Sequence, residues 1–170
     1  MPVILEGILR QLAAHQVEYV LIGGVAMWVQ GSDNVTQDLD ICYDRSARNL
    51  DALADAFVPL QPYLRGAPPG LPFRFDAPTI QAGLNFTLTT TLGDVNLLGE
   101  VRGIGWYEQV LAQSEEKTMY GLTFRVLSLD GLIAAKKAAG RAKDAFRASS
   151  CLRTRPLTSA RVVAATMQAA

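Results

Sequence analysis

The stretch VTQDLDICY, residues 35–43, alternates in the manner of a strand with two unlike faces. Val35, Gln37, Leu39 and Ile41 fall on one side, and Thr36, Asp38, Asp40 and Cys42 on the other, because strand residues two apart share a face. Two carboxylates this close repel each other unless a cation stands between them or one is protonated. Upstream, YVLIGG (19–24) reads as a short buried strand ending in glycines, and VAMWVQG (25–31) as a helix closed by Gly31. A strand that ends in GG and feeds a helix exposes backbone N–H groups and lets phosphates approach with no side chain in the way. Hard divalent ions such as Mg²⁺ are held by one or two carboxylates together with substrate phosphates. Each half alone is common: an exposed DxD is most often a solvated face and a GG a plain turn. Together, in this order and thirteen residues apart, they are far more specific.

The remaining pattern is that of an α+β domain, a mixed β-sheet with flanking helices. Residues 4–14 place Ile4, Leu5, Ile8, Leu9 and Leu12 on one helical face, and His15, the only histidine, falls where that helix ends. Residues 47–57 form a helix burying Leu50, Leu53, Ala54 and Phe57, with Ser46 as its N-cap. Six of the eight prolines lie between Val58 and Pro78, which predicts an irregular loop before a short helix at 77–82. Residues 84–98 read as a hairpin turning near Thr91–Gly93, and 116–128 as a second around Tyr120–Gly121. Helices are expected at 106–113 and 129–144, the latter gathering Lys136, Lys137, Arg141 and Lys143 at its far end, where cations also favour the helix dipole. Within the first hairpin, GDVNLL (93–98) puts Asp94 and Asn96 on one face and Val95 and Leu97 on the other.

Sixteen basic and sixteen acidic residues balance, so any anion site must be local, and no nucleic-acid or membrane partner follows from global charge. The two cysteines, Cys42 and Cys151, form no CxxC and suggest neither structural zinc nor a disulfide framework, which suits a reducing cytoplasm. There is no apolar run of about 20 residues to span a membrane, and the N-terminus makes a poor signal peptide. Residues 145–170 change character: they are rich in Ser, Thr, Arg and Ala and hold no Asp or Glu after Asp144. This atypical C-terminal segment is expected to pack poorly beside a domain spanning 1–144.

Ile22-Gly23-Gly24 and Asp38-Leu39-Asp40-Ile41 match hG[GS] followed by Dh[DE]h (h apolar), the signature of the DNA polymerase β-like nucleotidyltransferase superfamily. The wider context, GGVAMWVQGSDNVTQDLDI, resembles the small bacterial nucleotidyltransferases, including those related to abortive-infection toxins of toxin–antitoxin systems. The resemblance continues through FTLTTTLGDVNLLGEV and LIAAKKAAGRAKD, covering roughly residues 5–144. It implies transfer of a nucleoside monophosphate from an NTP to a hydroxyl acceptor, whether tRNA, protein or a small molecule, with an antitoxin protein as a partner in the toxin case. It implies Mg²⁺, two ions in the family mechanism, one lowering the pKa of the attacking hydroxyl and the other neutralising the departing pyrophosphate. Asp38 and Asp40 would be metal ligands and catalytic, Gly23 and Gly24 would lie against the phosphates, Thr36 would position the aspartates or touch nucleotide, and Lys137 and Arg141 would meet the triphosphate or an RNA acceptor.

Two departures from the family pattern bear on competence. Where relatives carry a basic residue in a G-x-x-R-x-T context, this chain has Asn34. The third carboxylate of the family falls in V-D-L-L, here Val95-Asn96-Leu97-Leu98, so Asn96 takes the third catalytic position. An amide can offer an oxygen to a cation but cannot act as a base, and losing a general base lowers rates by about 10²–10⁴. Asp94 is the available substitute as a metal ligand, about 7 Å along the strand at about 3.4 Å per residue. Three readings stay open: a working or weakened nucleotidyltransferase, a catalytically impaired homologue that binds nucleotide or a partner protein, and a plain interaction module.

Overall fold

The computed structural model describes residues 3–33 and 36–140. The chain begins with α1 (Leu5–Ala14), β1 (Tyr19–Ile22), α2 (Gly23–Val29), β2 (Asp38–Tyr43) and α3 (Ala47–Phe57). A single 3₁₀ turn (Val58–Leu60) leads to the two-residue β3 (Tyr63–Leu64), then α4 (Ala77–Ala82), β4 (Asn85–Thr90) and β5 (Gly93–Leu98). A small ribbon of β6 (Glu100–Val101) and β7 (Gly105–Trp106) precedes α5 (Tyr107–Ala112), β8 (Ser114–Met119), β9 (Leu122–Leu127) and α6 (Leu129–Ala138). Seven strands form one mixed sheet in the order β3-β4-β5-β2-β1-β9-β8. The pairs β2–β5 and β1–β9 are parallel and the others antiparallel, so the fold is α+β with helices flanking a mixed sheet.

Register explains the core. Leu39 stands opposite Val95 and Ile41 opposite Leu97, with Leu21 opposite Ile41 and Leu88 opposite Val95. These fully buried side chains join Ile8, Leu9 and Leu12 of α1 and Leu50, Leu53 and Phe57 of α3 in a single apolar cluster. The i, i+3/i+4 spacing of the helical residues and the two-residue spacing of the strands are both satisfied by that packing.

Polar groups at element ends are answered by specific side chains. Asn49, buried on α3, accepts from the Glu18 backbone N–H at 2.7 Å and donates to the carbonyls of Glu18 and Asp44 at 3.0 and 2.8 Å. Arg45 donates to the carbonyls of Gln81 and Gly83, at 3.0 and 2.8 Å, and so satisfies the C-terminal end of α4. Asp76 caps the other end of that helix, accepting from the Thr79 N–H at 3.0 Å. Among the described residues no buried side-chain nitrogen or oxygen lacks a partner.

Several boundaries differ from the sequence expectation. The glycines of IGG form the first turn of α2 rather than the end of β1. The Asp-bearing strand begins at Asp38, whereas it was expected from residue 35. Ser46 occupies the N-cap position of α3, yet its hydroxyl donates to the Asp44 carboxylate instead of capping. Strand β3 lies within 58–78, expected as irregular loop, and the β6–β7 ribbon ends at Trp106, where the sequence predicts the start of a helix. Helix α6 closes at Ala138, with Gly140 at φ +70°. Arg141, Lys143 and the whole of 145–170 lie outside the described residues. The Tyr120–Gly121 turn has both residues at positive φ, 55° and 73°, as a tight hairpin connection requires. His15 does end α1, its Nδ1 3.0 Å from the Gln11 carbonyl oxygen. No helix among the described residues is long and apolar enough to cross a membrane.

Replacing Asn49 by alanine removes the side-chain partner of the Glu18 N–H and of the Asp44 carbonyl, while the Glu18 carbonyl keeps the Asp44 N–H at 3.1 Å. Asn49→Ala is expected to lower unfolding stability by about 1–3 kcal/mol. Urea denaturation should show this as a lower midpoint at unchanged slope.

Candidate functional site

The parallel pairing of β2 with β5 places Asp38 opposite Asp94 and Asp40 opposite Asn96. Antiparallel β4 continues the same face with Thr89 opposite Asp94 and Thr87 opposite Asn96. Three carboxylates and one amide therefore share a patch on the two central strands, partly open to solvent.

The amide stands at the middle of this patch. Asn96 Nδ2 donates to Asp38 Oδ2 at 3.0 Å and to Asp40 Oδ1 at 2.6 Å. Its Oδ1 accepts a hydrogen bond from Arg65 Nη2. The other guanidinium nitrogen, Nη1, is 3.1 Å from Asp94 Oδ2 and 3.8 Å from Asp38 Oδ2. Thr89 Oγ1 donates to Asp94 Oδ1 and Thr36 Oγ1 to Asp38 Oδ1, each at 2.9 Å. The outcome is a closed network in which each acid has a named donor.

The two glycines are required by close approach. A Cβ at Gly23 would lie 1.9 Å from Asp40 Oδ2, and φ there is +68°. A Cβ at Gly24 would lie 2.6 Å from Thr36 Cβ. The room that glycine leaves is thus taken by Asp40 and Thr36, and the backbone of Gly24 hydrogen-bonds the Asp40 carboxylate. Thr36 acts as a positioning side chain for Asp38.

Burial is the largest influence on Asp40 and pushes its carboxyl above the ordinary carboxylate value. The hydrogen bond from Asn96 works in the opposite direction, the Asp38 charge adds to the rise, and Gly24 and Arg65 offset part of it. Cys42, two residues along the same face, is a buried thiol pushed up to about 12 by desolvation and is chemically quiet.

Asp38, Asp40, Asp94, Asn96, Thr36, Gly23 and Gly24 are thus brought together as one site. Lys137 is exposed on the last turn of α6, a helix that packs on α2, and Arg141 lies outside the described residues. Among the described residues, no three Asp, Glu, His or Cys side chains converge in the manner that holds a metal ion by protein groups alone.

Arg65 is the site residue that the sequence did not disclose. It follows β3 inside the proline-rich segment, where its backbone N–H donates to the Thr87 carbonyl at 2.9 Å. Its side chain crosses the threonines of β4 to reach β5 and β2. The signal was slight: one arginine after Tyr63-Leu64, in a run whose prolines argued for loop.

Comparison with solved structures adds to the fold. A structure from Thermotoga maritima, provisionally assigned as a nucleotidyltransferase, superposes with a TM-score of 0.56 at 18% identity. The match covers 89% of this chain and 92% of that one. The fold is nucleotidyltransferase-like. No family model matches the sequence, and no curated protein does so either. Within the nucleotidyltransferase-like fold, the site occupies β2, β5 and the first turn of α2.

Two variants test this geometry. Gly23→Ala forces a side chain into left-handed backbone and onto Asp40, and is expected to cost about 1–3 kcal/mol from backbone strain alone; calorimetric melting measures it. For Asp40, a folded-state pKa above the unfolded value means stability that is full at acid pH and is lost as pH rises through the folded pKa. Asp40→Asn should therefore melt at least as high as wild type at pH 7. That advantage should shrink as pH falls toward the ordinary carboxylate range, and an advantage that grows on acidification would contradict the assignment.

Proposed function

We propose that this site binds a nucleoside triphosphate with Mg²⁺ and transfers the nucleoside monophosphate to a hydroxyl acceptor. The observation that carries the reading is the pair Asp38 and Asp40, side by side on β2, seated against the glycine turn of α2 in a nucleotidyltransferase-like fold. Two carboxylates plus substrate phosphates are the donor set that a Mg²⁺ ion takes, and the residues fit one such ion. A second ion lacks a carboxylate at the third position, where Asn96 stands, and Asp94 is engaged by Arg65. When bound, the ion would polarise the reacting phosphate and neutralise charge on the departing pyrophosphate.

The chain's own groups have distinct tasks. Asp38 and Asp40 hold the ion and so orient the phosphate chain. Thr36 fixes the Asp38 carboxylate through its hydroxyl, and Gly23 and Gly24 let Asp40 and Thr36 pack against α2. Lys137 and Arg141 supply cations for the outer phosphates or an RNA acceptor. With an amide at position 96, Asp94, opposite Asp38 in register, is the carboxylate left to serve as base for an acceptor hydroxyl once Arg65 withdraws.

One observation favours a second reading, that of an impaired homologue that binds nucleotide without turnover. The Asn96 amide hydrogens point into the Asp38–Asp40 pair, so protein donors already occupy the lone pairs an ion would use. Incubation with NTPs labelled on the α-phosphate, Mg²⁺, and tRNA or protein acceptors separates the two. A competent enzyme labels an acceptor, and Asp38→Ala abolishes the label. An impaired homologue stays silent until Asn96→Asp, which should then raise transfer by about 10²–10⁴. Silence from wild type and Asn96→Asp alike, across all NTPs, would sink the transferase reading.

A further inference from the structure

Arg65 joins the acidic face from outside it, and its position determines what Asn96 can do. The guanidinium offers donors in a fixed fork. One arm is 3.1 Å from Asp94 and 3.8 Å from Asp38, and the other donates to the amide oxygen of Asn96. Because that oxygen is engaged, the amide nitrogen must face the opposite way, into Asp38 and Asp40. A single side chain thus has two effects: it places a positive charge beside the carboxylates, and it turns the neighbouring amide so that donors meet the acids.

We propose that Arg65 is an intramolecular counter-cation that competes with the divalent ion for this face, and that loading the ion requires its side chain to swing out. The proposal rests on the reading of Asp38 and Asp40 as ion ligands. Withdrawal of the guanidinium frees Asn96 to rotate, bringing its Oδ1 toward the aspartates as a neutral oxygen ligand and its Nδ2 away. The ion and the amide oxygen then replace the guanidinium and the amide hydrogens, so a cation stands beside the acids in both states.

The local structure permits that movement. The Arg65 backbone is fixed by its bond to Thr87, but 31% of the side chain is exposed, close to the 34% and 33% of Asp38 and Asp94. On the strand between, β4, Thr87 and Thr89 leave a low polar surface over which the side chain lies and across which it can withdraw. Immediately after Arg65, Gly66 has φ +78° and nothing within 4 Å of where a Cβ would be, so the turn beside it is open.

Titration of Mn²⁺ into the intact chain, read by calorimetry or by the electron paramagnetic resonance of the free ion, tests this without any assay of activity. Arg65→Ala is expected to tighten Mn²⁺ binding by about tenfold or more, since charge-assisted hydrogen bonds no longer have to be broken. Arg65→Ala should also melt below wild type in EDTA and recover with Mn²⁺, because three acids are left without their counter-cation. Arg65→Gln, which keeps length without charge, serves if the alanine variant melts too low to titrate, with the same expected direction.

Asp94→Asn gives an opposing sign. If Asp94 anchors Arg65, its loss loosens the guanidinium and tightens Mn²⁺ binding; if Asp94 is itself an ion ligand, binding weakens and the proposal falls. Equal affinity in wild type and Arg65→Ala, with Asp38→Ala abolishing both, removes the role of Arg65 while leaving the ion site in place. Binding that survives Asp38→Ala in the Arg65→Ala background puts the ion elsewhere and overturns both.

Discussion

Repulsion among Asp38, Asp40 and Asp94 is the constraint on which the polar face of this sheet depends. Strand register sets the three carboxylates on adjacent positions of β2 and β5, and the core on the other face leaves that register no freedom to slip. A shift by one residue would carry Leu39 and Ile41 out and the aspartates in. The charge must therefore be met where it stands. The chain meets it with an amide between the acids and a guanidinium beside them, while burial, more than the neighbouring charge of Asp38, holds the Asp40 carboxyl above its ordinary value.

The flanking elements can be understood from the same requirement. The glycines at the start of α2 permit Asp40 to tuck against the helix and receive a backbone N–H. Thr36 and Thr89 hand hydroxyl donors to the outer two acids. None of these groups is unusual alone, but each removes a lone pair that would otherwise face its neighbour's charge. The buried network around Asn49 follows a similar logic at the opposite end of the strands, joining the turn before β1 to the turn after β2.

Much of this was readable from the chain because it was local. Period-two alternation revealed β2, β4 and β5, and periodicity near 3.6 revealed α1 and α3, since each element buries one face. The motif IGG with DLDI pointed to the candidate site, and its two halves meet where Ile22 pairs with Asp40. Asn96 as partner of the aspartates was legible through the resemblance, and its orientation was not, because an amide turns to suit its donors. Arg65 escaped for a different reason. The strand it follows is two residues long and lies among prolines, and its reach to β5 and β2 depends on the pairing of β3 with β4, which no spacing in the sequence encodes. Ser46 misled because a hydroxyl in the N-cap position had a nearer acceptor in Asp44.

The aromatic cluster beneath the proline-rich segment gives the site a mechanical property. Tyr63 packs edge-on against Phe73, whose ring meets Phe75, which in turn touches Phe57 and Phe86. The Tyr63 hydroxyl also donates to the Pro68 carbonyl at 2.6 Å and accepts from the Leu71 N–H at 3.1 Å. The loop is consequently fastened to the core by its rings, while β3, at the margin of the sheet, has few backbone bonds. Marginal elements of this kind open at free energies well below that of global unfolding. The acids belong to the cooperative centre of the molecule and their cation to its periphery, so excursions that leave the core intact can alter the charge of the face.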